Sequence, residues 1–112
     1  MKIPKRLKID GLAVRVTETR TIKKVGKKKG DKYLGLAEIT HGRITLATHH
    51  DGRELPEGKR AETFMHEILH YIAAQRGINL AEDTVKSLAG GLMAVIRDND
   101  LDFRDKSIRR VK

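Results

Sequence analysis

The stretch Lys59-Arg60-Ala61-Glu62-Thr63-Phe64-Met65-His66-Glu67-Ile68-Leu69-His70-Tyr71-Ile72-Ala73-Ala74-Gln75-Arg76 sets the frame for the rest of the chain. Ala61, Phe64, Met65, Ile68, Ile72 and Ala73 recur at steps of three and four, the period of one helix face. The spacing predicts a helix from about Lys59 to Arg76, with Gly77 as the residue that ends it. Within it stands His66-Glu67-Ile68-Leu69-His70. Residues four apart on a helix lie one turn apart on the same face, about 6 Å along the axis. Two imidazoles so placed can share one zinc ion, with Glu67 beside them as a general base. The plain alternative is a solvent-facing trio on an amphipathic helix. Against it, Met65, Ile68 and Leu69 leave the helix apolar over most of its circumference, and a polar trio on a mostly buried helix needs a partner.

Downstream, Ile78 and Asn79 form a short link, and a second helix is expected from about Ala81 to Asp98. Its apolar stripe is Val85, Leu88, Ala89, Leu92, Met93 and Ile96. Glu82 and Asp83 suit its electropositive first turn. A short link folds this helix back beside the first, which brings its first turn towards the His66/His70 face. A zinc site that does chemistry needs three protein ligands and an open fourth position. The third ligand is then Glu82 or Asp83. His41, His49 and His50 are weaker candidates, since strand and loop histidines are usually plain surface residues.

Upstream, the patterning has period two. Leu7 and Ile9, then Leu12, Val14 and Val16, alternate with polar or small residues around Asp10-Gly11. This is a hairpin signal, with Ile9 expected opposite Leu12 and Leu7 opposite Val14. Ala37 and Ile39, then Ile44 and Leu46, form a second such pair around His41-Gly42. A two-residue turn there would put Ile39 opposite Ile44 and Ala37 opposite Leu46. Between the hairpins, residues 20–32 hold six lysines and two glycines, read as a mobile basic loop. Leu101 and Phe103 are expected to dock on the core, and the basic tail from about 104 to 112 to fray. The fold class expected is α+β: an antiparallel sheet of three or four strands packed on two antiparallel helices.

The 112 residues argue for one domain. No apolar run approaches the ~20 residues that span a bilayer, and the N-terminus lacks the apolar segment of a signal peptide. There is no cysteine, so a metal site must draw on histidine and carboxylate. A cytoplasmic protein without membrane contact is the expectation. The net charge of +9 can attract nucleic acid or an acidic partner, or simply keep a small domain soluble.

The segment from Arg60 to Ile72 resembles the active-site helix of zincin metallopeptidases, in the gluzincin branch. The resemblance implies that a glutamate on the next helix is the third ligand, which falls on Glu82. Many such proteins carry Asp or Asn four residues later, where this chain has Lys86. Over roughly residues 34–98 the layout is also similar to small zincin-like peptidases of phages and prophages, and to the peptidase core of proteins that cleave phage repressors. The resemblance implies a zinc metallopeptidase acting on a protein or peptide substrate. On this expectation His66, His70 and Glu82 bind Zn2+, and Glu67 moves the proton from the bound water to the leaving amine. Tyr71, Tyr33 and Arg97 are candidates, by residue type, for stabilising the oxyanion. Arg43–Thr48 is a candidate edge strand to hold an extended peptide. The rival expectation is a non-catalytic, zinc-stabilised module that contacts nucleic acid or a regulatory protein through its basic surface.

Overall fold

The structure, a computed structural model, describes residues 2–23 and 32–99. The chain folds as α+β. A four-stranded sheet is built from β1 (Arg6–Ile9), β2 (Leu12–Thr19), β5 (Gly35–Glu38) and β6 (Arg43–Ala47). Short ladders β3 (Ile22–Lys23) with β4 (Lys32–Tyr33), and β7 (His49–His50) with β8 (Arg53–Glu54), lie beside it. Two helices follow, α1 (Glu57–Arg76) and α2 (Glu82–Asn99). Among the described residues, no helix is long and apolar enough to cross a membrane.

The first hairpin has the expected register, Ile9 opposite Leu12 and Leu7 opposite Val14. Asp10 and Gly11 both have positive φ, 51° and 81°, as a type I′ turn requires. The second hairpin differs. Ala37 pairs with Ile44 and Gly35 with Leu46, so the expected register is displaced by two residues. The connection is four residues long, because Ile39–His41 coil into a 3-10 turn. Gly42 closes that turn in the left-handed region at φ 61°, its N–H donating to the Ile39 carbonyl at 3.2 Å. A displacement of two keeps every side chain on its expected face. Ile44 and Leu46 are therefore fully buried, while Ile39 moves off the sheet and is 39% exposed.

The sheet order is β1-β2-β6-β5, and β2 pairs with β6 in parallel. The expected all-antiparallel sheet is thus a mixed one. The parallel pairing is sterically open because more than twenty residues separate the two strands, enough for a crossover. It also makes β6 internal. The expected edge at Arg43–Thr48 is not an edge; β5 is.

Ile9, Val14, Val16, Ile44 and Leu46 on one sheet face pack against Phe64 and Tyr71 of α1. The buried face of α1 includes Glu67 and Tyr71, neither part of the expected stripe. The helix ends as its sequence suggests: the N–H groups of Gly77 and Ile78 cap the Ala74 and Ala73 carbonyls, a Schellman arrangement. Helix α2 packs chiefly on α1. Only Val85 and Ala89 of its stripe are buried, while Leu88, Leu92 and Ile96 stay exposed. Among the described residues the layers run sheet, α1, α2, with none on the outer side of α2.

The ends of the expected basic loop do not stand clear of the core but zip together. Ile22 pairs with Tyr33 and is buried. Residues 24–31, Leu101, Phe103 and the basic tail lie outside the described residues.

Candidate metal centre

Helix periodicity places His66 and His70 on the side of α1 that meets α2, with their Nε2 atoms 3.0 Å apart. The link after Gly77 turns the chain back, and α2 runs antiparallel to α1. Its first residue, Glu82, reaches both imidazoles: Oε1 lies 2.6 Å from His66 Nε2, and Oε2 2.9 Å from His70 Nε2. Val85, fully buried almost one turn further on, anchors this end of α2 against α1. The three side chains form the one His/Asp/Glu cluster with metal-ligand spacing among the described residues. Asp83 is exposed and outside it. His41 is exposed in the 3-10 turn. His49 is held by Thr48 Oγ1 at 2.7 Å, and His50 faces Asp51 at 3.3 Å. None of these joins the cluster.

The chemistry of this donor set fits a divalent cation. If both imidazoles donate to Glu82 through Nε2, both nitrogens carry hydrogen, and their 3.0 Å contact has no acceptor. A cation satisfies all three ligand atoms at once. With bonds of about 2.0–2.1 Å, tetrahedral ligand atoms stand roughly 3.3 Å apart, wider than the present 2.6–3.0 Å. Two imidazoles and a carboxylate, without thiolate, suit zinc and leave a fourth position for water.

Glu67 is the one buried charged residue among those described, 8% exposed. Burial, and then the Glu82 carboxylate, push its pKa up to about 7, against the pull of a hydrogen bond from the Ala37 backbone N–H. That bond is available because of the register of β5. The Ala47 N–H donates to the Leu34 carbonyl at 2.9 Å, so the alternation of the ladder turns the main-chain groups of Gly35 and Ala37 outward, to the edge that no described strand pairs with. Gly35 lets α1 come close. A Cβ there would sit 2.8 Å from Thr63 Cγ2 and 2.9 Å from Glu67 Cγ, closer than atoms can pack. Gly35 and the Ala37 N–H are site residues with no side-chain signature. The only sequence hint is a glycine inside a strand, which often marks a close backbone approach.

A cleft of about 890 Å³ opens over these groups. One wall is Gly35 and Ala37 of β5 with Ile39 of the 3-10 turn, and the helix wall includes Thr63, His66 and Glu67. Lys86, one turn along α2 from Glu82, also lines it, so an ammonium stands where the gluzincin pattern has an acid or amide. Of the three oxyanion candidates, Tyr33 lines the cleft. Tyr71 is buried in the core with its hydroxyl beside Gly42, and Arg97 pairs with Asp98 at 2.9 Å near the far end of α2. Neither faces the cleft.

No protein-family model, curated protein or solved structure matches the chain. The functional reading therefore rests on the geometry of these residues.

Proposed function

We propose that this domain is a zinc-dependent metallopeptidase. The observation that carries the reading is the meeting of His66, His70 and Glu82 beside the buried carboxylate of Glu67, on the floor of a cleft whose wall is a free strand edge. Zinc at the triad would supply a Lewis acid and a water of lowered pKa. Glu67 would be the base that takes a proton from the attacking water and passes it to the leaving amine. Without metal its pKa is about 7, in the range where a carboxyl both takes and gives a proton near neutrality. A cation at the triad favours its ionised form, which is the form a base needs. The outward main-chain groups of β5 other than the Ala37 N–H, which Glu67 engages, would hold an extended peptide across the floor by strand addition. Tyr33 lines the wall and can donate to the developing oxyanion.

The test separates chemistry from binding. Glu67→Gln should keep one zinc per chain and lose peptide hydrolysis by roughly two to four orders of magnitude, the usual worth of a general base. His66→Ala should lose the metal as well. Hydrolysis that survives in Glu67→Gln rejects Glu67 as the base, and a parent protein that holds zinc without cleaving peptides rejects the peptidase reading and leaves the non-catalytic, zinc-stabilised module.

A further inference from the structure

The face of the sheet turned away from α1 carries a feature that the metal centre does not use. Arg6 stands directly opposite Arg15 across β1 and β2, and Arg15 directly opposite Arg43 across β2 and β6. Paired residues point to the same side of a sheet. Val14, Val16 and Ile44 are buried on the helix side, so their neighbours Arg15 and Arg43 point outward. Three guanidinium groups thus form a row across adjacent strands about 4.8 Å apart. Like charges directly opposite one another destabilise a sheet. Arg43 is relieved by Glu38, which accepts from its Nε and Nη2 at 3.0 and 2.9 Å. Arg6 and Arg15 have no anionic partner among the described residues.

The surroundings extend the positive character. Lys8 follows Arg6 on the same face, and the Thr17 and Thr45 hydroxyls meet at 3.1 Å beside the row. A groove of about 750 Å³ begins at Arg6 and Arg15 and continues past Lys2, Lys5 and Arg60. Arg60 spends Nη1 on Glu18 at 3.2 Å, while its buried Nε has no partner among the described residues. Of the two carboxylates in the groove, Glu18 is the one Arg60 engages, and Glu57 is the other.

We infer that this face binds nucleic acid through its phosphate backbone, without reading sequence. Arginines and lysines interleaved with threonine hydroxyls are the groups that hold phosphates. The outward positions of β1 and β2 are Arg6, Lys8, Ala13, Arg15, Thr17 and Thr19. They include no aromatic ring on which a base could stack, and no large apolar side chain to enter a lipid surface. The whole-chain charge of +9 has the matching sign. The face lies across the sheet from the cleft, so it does not depend on the peptidase reading and does not compete with a peptide bound there.

The experiment is fluorescence anisotropy of labelled single-stranded and duplex DNA with the full-length, zinc-loaded protein over a salt series. Affinity should fall linearly with salt on a log–log scale. Arg6→Gln/Arg15→Gln should bind more weakly at low salt, with a slope shallower by about two, one for each phosphate contact removed. Its melting temperature should be equal to or above that of the parent, because the opposed charges are gone. Lys8→Gln should show a smaller loss of the same kind. Arg53→Gln, on β8, removes one positive charge elsewhere and should leave binding nearly unchanged. Binding that is absent, insensitive to Arg6→Gln/Arg15→Gln, or weakened as much by Arg53→Gln overturns the inference. So does capture by anionic phosphatidylserine vesicles, sensitive to the same double substitution, in the absence of DNA binding.

Discussion

The Glu67 carboxylate accepts a hydrogen bond from the Ala37 backbone N–H, which ties the middle of α1 to the free edge of the sheet. One bond thereby connects the candidate base to the strand that would hold a substrate. It also occupies an edge donor that would otherwise be open to pairing with another chain. The carboxylate is deep enough for desolvation to dominate its acidity.

That burial sets a pH signature in the metal-free protein. The folded-state pKa is about 7 against an ordinary value of 4.5, so between these values the folded form holds a proton that the unfolded chain has released. The Glu67 contribution to stability should therefore be greatest at or below about pH 4.5 and be lost as pH rises towards 7, on the order of 3 kcal/mol. Glu67→Gln should remove this slope and be the more stable protein at pH 7. Urea melts of both proteins in chelator at several pH values measure the difference. Parallel curves would show that Glu67 is not desolvated as described.

Gly35→Ala tests the close approach of β5 to α1. The added methyl would sit 2.8 Å from Thr63 Cγ2 and 3.0 Å from Glu67 Oε2. Strand and helix must part to admit it, at a cost of about 1–3 kcal/mol. Peptide hydrolysis should fall more than stability accounts for, because the Ala37–Glu67 bond shifts with the strand. Gly91→Ala, on α2 with open space around it, should cost nothing and slightly favour the helix. Comparative thermal melts and activity assays of the two variants separate these outcomes.

Val85→Ala tests how α2 presents its ligand. Val85 is fully buried between the helices and supplies no ligand atom to the cluster. Losing its methyls should cost about 2 kcal/mol and weaken zinc affinity by loosening the turn that carries Glu82. Leu88→Ala, on the exposed side of α2 at 46% exposure, should change neither. Competition with a chromophoric chelator reads the affinities.

Much of this architecture is legible in the sequence because it is local. The Asp10-Gly11 hairpin register, both helices and the Gly77 cap follow from short-range spacing. His66, His70 and Glu82 come together because one helix turn and one short link fix their placement. The features that escape the sequence are non-local. The parallel β2–β6 pairing leaves no mark in either strand, so residue patterns cannot identify the edge. The His41-Gly42 turn is longer than its sequence suggests, because Ile39 looks like a strand residue and instead enters a 3-10 turn. Leu88, Leu92 and Ile96 have core spacing, yet α2 packs on α1 and no other element among the described residues covers its outer side. Glu67 has the spacing of a polar face and is buried, since the edge main chain of β5, invisible to any residue pattern, supplies its partner.

The assignment of the triad is tested most directly by the zinc content of purified protein, measured by elemental analysis beside Glu82→Gln and Asp83→Asn. One zinc per chain is expected in the parent and in Asp83→Asn. Glu82→Gln, which exchanges an anionic oxygen for a neutral amide at the third ligand, should lose metal affinity by roughly tenfold or more, the scale of a weakened ligand shell. A parent protein that takes up no zinc from metal-supplemented buffer, or a Glu82→Gln protein that holds it as tightly as the parent, contradicts the site.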